Sequence, residues 1–158
     1  MLALTRRPAW VGSSHLDFYA PGGRRGFEVS AGYAPERIRQ SSGGTAAVTL
    51  NDPHALTVVS TATTWVADLT AGDDLTVSGD FDDDLTTTTT GTGSTSFGAT
   101  TVGGDLAVTS AGNVGQTGEI VVTDTTTLDA GANAILLDDA DNDFGGTVTI
   151  TAAAAVTL

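Results

Sequence analysis

Residues 103–158 decide the fold and read GGDLAVTSAGNVGQTGEIVVTDTTTLDAGANAILLDDADNDFGGTVTITAAAAVTL. This stretch consists of very short apolar runs separated by Gly, Asn, Asp and Ala. Aliphatic residues recur two positions apart, as in Leu106 and Val108 or Ile135 and Leu137. A spacing of two places both side chains on one face of a β-strand. The stretch therefore predicts an all-β fold of short strands, each with one inward face and one outward face.

Apolar positions also recur along the chain at about 21 residues, which is a period typical of a solenoid. Three short strands per turn predict a parallel β-helix, in which the residues of one column stack on successive turns. The three predicted columns are Leu85, Leu106, Leu128 and Val148; Val114, Ile135 and Val156; and Leu75, Phe97, Ile120 and Phe144. The alternative is an antiparallel β-sandwich, which would also show many short strands with Gly-rich turns.

The chain divides into two parts that differ in amino-acid composition. Residues 1–43 are rich in Arg, Gly and Pro and show no sustained period, which predicts a leader or a poorly ordered cap segment. Residues 44–158 are the predicted β-helix repeat domain. The last three residues, Val156, Thr157 and Leu158, form a strand triplet with no turn after it. This ending predicts a repeat domain truncated at its C-terminus, from a longer protein.

The charge distribution excludes several classes of function. All six basic residues are arginines at or before Arg39, whereas all but three of the 19 acidic residues follow it. An acidic repeat domain repels phosphate, so nucleic-acid binding is not expected.

Membrane insertion is not expected either, since no apolar run approaches the roughly 20 residues of a spanning helix. No signal peptide is visible, because Arg6 and Arg7 are not followed by an apolar core.

One acidic loop is a candidate metal site. Asp139, Asp141 and Asp143 alternate with other residues, and a D-x-D-x-D loop offers several oxygen ligands to a hard cation such as calcium. Phe144 and Ile150, however, stand where a calcium loop of the EF-hand type needs Gly and Glu. The competing interpretation is a solvated turn between two strands, with Asp and Asn chosen for turn geometry.

No set of residues in the sequence predicts catalysis. Parallel β-helices can host polysaccharide-active enzymes, but the repeat domain has no basic residue to serve beside its carboxylates. His15 and His54 have no recognisable Ser or Cys partner, so no catalytic residue or cofactor is predicted. A polysaccharide-active or calcium-binding β-helix protein is the alternative function.

Surface recognition by Thr ladders, as in ice-binding solenoids, is a third hypothesis. It needs Thr at a fixed place in every turn. The Thr runs at 86–90 and 125–127 do not recur along the 21-residue columns elsewhere, so the sequence gives this hypothesis little support.

The sequence of the repeats resembles that of a known type of bacterial protein. The strings GGDLAVTSAGNVGQTG, DTTTLDAGANAILLDDADNDFGG and TVTITAAAAVTL resemble repeats of filamentous-haemagglutinin-like exoproteins and autotransporter adhesins of Gram-negative bacteria. The resemblance covers about residues 71–158. It implies a right-handed parallel β-helix that is secreted or displayed on the outer membrane and the bacterial cell surface as a non-catalytic, adhesin-like shaft. The implied partners are a host-surface or matrix ligand and neighbouring repeats of a longer chain.

Overall fold

The computed structural model describes residues 14–20, 23–31, 37–40, 46–60 and 65–158, and the side chains of residues 49–60 and 66–158. None of these residues lies in a helix long and apolar enough to cross a membrane. The described strands are, in chain order, β1 Ser14–Ala20, β2 Gly23–Ala31, β3 Arg37–Gln40, β4 Ala46–Asp52, β5 Leu56–Ser60, β6 Trp65–Ala71, β7 Leu75–Phe81, β8 Leu85–Thr89, β9 Thr95–Val102, β10 Leu106–Thr109, β11 Val114–Gln116, β12 Ile120–Val122, β13 Thr126–Asp129, β14 Ala134–Leu136, β15 Asp143–Phe144, β16 Val148–Ala152 and β17 Ala155–Thr157.

The strands stack into a β-solenoid of about five turns, with about 20 residues per turn. The seven-stranded sheet has the order β3-β4-β6-β8-β10-β13-β16. The ten-stranded sheet has the order β1-β2-β5-β7-β9-β11-β14-β17, and β12 joins it by pairing with β9 and β15. Every described pairing among β4 to β17 is parallel. The predicted parallel β-helix is confirmed, and the antiparallel sandwich is wrong for this part of the chain.

The core lies between the sheets because the strands alternate as the sequence predicts. In β10, Leu106 and Val108 are buried, whereas Thr109 is exposed. In β13, Thr126 and Leu128 are buried and Thr127 is exposed. The hydrophobic effect favours a shared interior that runs along the solenoid axis. The largest fully buried side chains are Phe81, Phe97, Leu50, Leu56, Leu69, Leu75, Leu85, Leu106, Ile120 and Leu128.

One predicted column stacks as expected, and one is shifted after its first pair. Val114, Ile135 and Val156 pair directly on successive turns. Leu85 also pairs with Leu106, as predicted. Beyond that pair the prediction is wrong by two residues, because Leu106 pairs with Thr126 rather than with Leu128. The pairs that replace the predicted ones are Val108 with Leu128, Leu128 with Ile150, and Thr126 with Val148.

The third predicted column is wrong throughout. Phe97 pairs with Val77 and Gln116, not with Leu75 and Ile120. The remaining partners are Thr95 for Leu75, Thr100 for Ile120, and Val122 for Phe144. Leu75 and Phe144 are each displaced by two residues from the predicted partner, and such a shift keeps the same side chains facing inward, so hydrophobic burial does not select between these registers. Ile120 is displaced by three residues, because it pairs with Thr100 rather than with Phe97. The register depends instead on the turns between the strands, because their lengths differ from one coil to the next.

The N-terminal strands pair differently from the solenoid coils. β1 pairs with β2, β2 with β5, and β3 with β4, each antiparallel. These strands therefore extend both sheets beyond the first parallel coil. The predicted boundary between residues 43 and 44 lies outside the described residues, and the leader-or-cap assignment of residues 1–43 stays a prediction.

Candidate functional site

The predicted calcium loop forms a hydrogen-bonded turn between β14 and β15. Asp139 Oδ1 accepts a hydrogen bond from the Asp141 backbone N–H at 3.1 Å, and the Asp139 carbonyl accepts one from Asn142 N–H at 3.2 Å. Asp143 begins β15 and pairs with Val121. Within the part of the chain that the structure describes, no three His, Asp or Glu side chains are grouped so that they could hold a metal ion. Asp139 thus has a local role in the turn, and calcium binding by Asp139, Asp141 and Asp143 stays a prediction.

Asn142, which the sequence did not single out, anchors this loop to the preceding coil. Its Oδ1 accepts hydrogen bonds from Ile120 N–H at 2.8 Å and from Gln116 Nε2 at 3.0 Å. Its Nδ2 donates to Gln116 Oε1 and to the Leu137 carbonyl, each at 2.9 Å. A side-chain amide can make this paired contact because it donates through its nitrogen and accepts through its oxygen. The only signal in the sequence is an Asn within a run of Asp residues.

Aspartates at the turns before strands form a second set of contacts between coils. Asp84 Oδ1 accepts a hydrogen bond from Asp105 N–H at 2.9 Å. Asp105 Oδ1 accepts two, from Thr125 N–H at 2.8 Å and from Thr125 Oγ1 at 2.7 Å. On the other sheet, Asp74 Oδ1 accepts one from Ser94 N–H at 2.9 Å. Part of the acidic charge of the chain therefore has a structural role, because these carboxylates cap the backbone N–H groups of the following coil.

The Thr125 contacts change the titration of Asp105. Hydrogen bonds from the Thr125 hydroxyl and from its backbone N–H favour the carboxylate, and they lower the pKa of Asp105 below its ordinary value. The neighbouring acidic run at 82–84 is also engaged locally, since Asp83 Oδ1 accepts a hydrogen bond from Asp84 N–H at 3.1 Å.

His54 lies beside a buried carboxylate. Its Nδ1 is 3.4 Å from Asp52 Oδ1, and the same oxygen accepts a hydrogen bond from the His54 backbone N–H at 2.9 Å. The Asp52 side chain is fully buried, whereas that of His54 is 55% exposed. This arrangement is an Asx-type turn around Pro53. The side chain of His15 lies outside the described side chains.

The interior of the solenoid also holds a cluster of hydroxyl groups. Thr89 Oγ1 donates a hydrogen bond to the Gly93 carbonyl at 2.6 Å and accepts one from Ala111 N–H at 3.0 Å. Ser110 Oγ lies 3.3 Å from Thr89 Oγ1 and 3.3 Å from Thr95 Oγ1. All three side chains are buried, and no acid or base takes part in these contacts. The cluster therefore satisfies backbone groups at two stacked bends, the Gly93 carbonyl between β8 and β9 and the Ala111 N–H between β10 and β11.

Comparison with known proteins identifies a repeat and names no activity. A family model described as "Repeats of unknown function (DUF5649)" matches residues 82–151, which run from the turn before β8 into β16. Searches of curated proteins and of solved structures gave no match. The match and the stacked coils together describe a repeat-containing β-solenoid.

Proposed function

We propose that this chain is a non-catalytic shaft of adhesin type, secreted or displayed on a bacterial cell surface. The observation that carries the proposal is the continuous parallel ladder from β4 to β17, in which each coil pairs with the next. Such a solenoid is quasi-one-dimensional, so it can be lengthened by adding coils without changing the core. This geometry suits a protein that holds a binding surface away from its anchor.

The chemistry of the described side chains supports a structural role. The carboxylates of Asp74, Asp84 and Asp105 are used to cap neighbouring coils. The hydroxyl cluster of Thr89, Thr95 and Ser110 satisfies local polar groups. The resemblance of residues 71–158 to exoprotein repeats supports the surface location. The acidic charge favours a partner other than nucleic acid.

Two measurements on the purified protein test the proposal. Beads coated with the folded protein should bind host cells or extracellular matrix, and beads coated with the heat-denatured protein should not. The same protein should release no products from pectin-like or neutral polysaccharides. Turnover that is lost on substitution of a pair of aspartates would overturn the non-catalytic assignment. Binding that is equal for folded and denatured protein would overturn the adhesin role.

A further inference from the structure

Strands β16 and β17 form an apolar edge, which we call the C-terminal edge. β16 ends the seven-stranded sheet and β17 ends the ten-stranded sheet, and each pairs with one described strand, β13 and β14 respectively. Val156 stacks on the buried Ile135 but is itself 43% exposed. Ile150 is half-buried, although its partner Leu128 is fully buried. The C-terminal edge therefore offers core-facing apolar side chains and unpaired backbone groups to a further β-strand.

The charges around the C-terminal edge restrict the partner. Residues 144–158 contain no charged side chain. The loop that leads into this coil carries four aspartates, of which Asp138, Asp141 and Asp143 are exposed. A symmetric contact between two C-terminal edges brings both acidic loops to the same junction, where like charges repel. The C-terminal edge therefore favours a partner that offers a free strand and carries positive charge.

The N-terminal end of the same two sheets has both properties. β1 ends the ten-stranded sheet and β3 ends the seven-stranded sheet, and each pairs with one described strand, β2 and β4 respectively. Arg24 and Arg25 lie in β2, and Arg37 and Arg39 lie in β3. Residues 1–43 hold six arginines and three acidic residues, hence a formal charge of +3. The rest of the chain holds 16 acidic residues and no Lys or Arg, hence −16.

We propose that the C-terminal edge binds the N-terminal strands of a second copy of this chain, so that copies associate head to tail. Stacking along the solenoid axis places β16 beside β3 of the second copy and β17 beside its β1, so each sheet continues as the same sheet. The positive N-terminal segment then approaches the acidic loop, and the junction covers the apolar edge. Such a contact joins two different surfaces, so it leads to open chains rather than closed dimers. This inference does not depend on the adhesin role.

Sedimentation velocity over a range of protein concentrations measures this association. At low ionic strength the parent should form species larger than a monomer, and their share should grow with concentration. Raising the salt to about 0.5 M shortens the Debye length to a few ångströms and should weaken the association at least about tenfold. Association that strengthens with salt would overturn the proposed charge complementarity.

Substitutions at the two ends locate the contact. Val156→Lys places a charge on the C-terminal edge, and Leu136→Lys places the same charge on the exposed, outward side of β14. Val156→Lys should weaken the association at least about tenfold, and the control Leu136→Lys should leave it close to that of the parent. The double change Arg37→Glu and Arg39→Glu should weaken it similarly from the N-terminal end. Equal loss in the Leu136→Lys control would overturn the assigned surface.

A mixture of the two end variants distinguishes a head-to-tail contact from a symmetric one. Val156→Lys keeps the N-terminal strands intact, and the double arginine variant keeps the C-terminal edge intact. Each should be monomeric alone, and the mixture should form dimers and nothing larger. Dimers of the double arginine variant alone would overturn the proposal by showing contact between two C-terminal edges.

Circular dichroism melts of all variants separate loss of association from loss of folding. If Val156→Lys melts below the parent, Leu158→Lys replaces it, since Leu158 is 54% exposed. A folded parent that stays monomeric at every concentration would overturn the proposal and would leave the C-terminal edge to a different protein or to a further coil.

Discussion

Thr87 and Thr126 carry buried hydroxyl groups for which the described part of the chain supplies no hydrogen-bond partner. Thr87 pairs with Leu69 and with Val108 in the seven-stranded sheet, so its side chain occupies a position that its neighbours fill with aliphatic groups. A buried hydroxyl without a partner costs free energy that a methyl group at the same place would not. Thr89, two residues later in β8, is buried with its partners present. Thr87 and Thr89 can therefore be compared directly by mutation, since both are buried in β8 and only the Thr89 hydroxyl has described hydrogen-bond partners.

Thr87→Val should raise the free energy of unfolding by about 1 kcal/mol, because Val has nearly the same shape and no unpaired hydroxyl. Thr89→Val should lower it by about 1–3 kcal/mol, because the Ala111 N–H loses its acceptor. Urea denaturation of the two variants and the parent measures both changes. If Thr87→Val were destabilising, its hydroxyl would have a partner in solution.

The lowered pKa of Asp105 predicts a specific dependence of the free energy of unfolding on pH. Because its pKa is lowered in the folded protein, its contribution is fully present above the pKa of the unfolded chain, about 4, and is lost as the pH falls through the lower folded value. The parent should therefore lose more stability than Asp105→Ala when the pH is reduced below about 4. Denaturation midpoints measured over a pH series give this comparison. Thr125→Val, which removes the hydroxyl donor, should reduce the pH dependence in the same direction as Asp105→Ala does.

At the scale of the element, short strands depend on the turns that join them. Gly103 precedes β10 in a turn that packs tightly on the preceding coil, where an added Cβ would lie 2.4 Å from the Asp82 carbonyl oxygen. A side chain at this position would push two coils apart. The Gly-rich turns thus permit the close stacking on which coil-to-coil pairing depends.

Leu128→Asp should disrupt β13 and its neighbours. Leu128 is fully buried and pairs with Val108 and Ile150, so the substitution would remove apolar contacts and bury a carboxylate. The loss should be at least about 3 kcal/mol, since truncation of a buried Leu alone costs 2–5 kcal/mol. The control is Thr127→Asp, which places the same group at the adjacent exposed position and should change stability little.

Thermal melts followed by circular dichroism compare the two β13 variants. Leu128→Asp should melt well below the parent, and Thr127→Asp should melt close to it. A parent-like melt for Leu128→Asp would contradict the inward orientation of Leu128, whereas equal damage from both variants would contradict the alternation of β13.

At the scale of the whole molecule, the net charge of −13 governs the response to ions. Like charges spread over a folded surface repel one another, and dissolved salt screens that repulsion. Because Asp139 bonds within its own turn and Asn142 anchors the loop, the turn interpretation needs no bound cation. The ion response of the melting temperature can therefore separate screening from a specific site.

We expect millimolar calcium to raise the melting temperature only slightly relative to chelator, and magnesium or plain salt at equal ionic strength to do the same. The comparison is repeated with Asp141→Asn and Asp143→Asn, which would each remove a ligand from a calcium site. A large rise specific to calcium and abolished by both substitutions would establish the metal site, because binding to the folded state stabilises it by mass action.

The sequence by itself determined the solenoid and its inward faces. The two-residue period of apolar residues predicts the buried side of each strand, and the repeat near 20 residues predicts parallel coils. Both signals lie in the spacing of residues along the chain, so the sequence alone contains them. Only the tertiary structure decided the register of the strands. Leu106 would face inward whether it paired with Thr126 or with Leu128, because these two residues lie on the same face of β13. Contacts at the turns fix that choice, since the Thr125 N–H and hydroxyl, directly before β13, donate to Asp105 Oδ1, directly before β10.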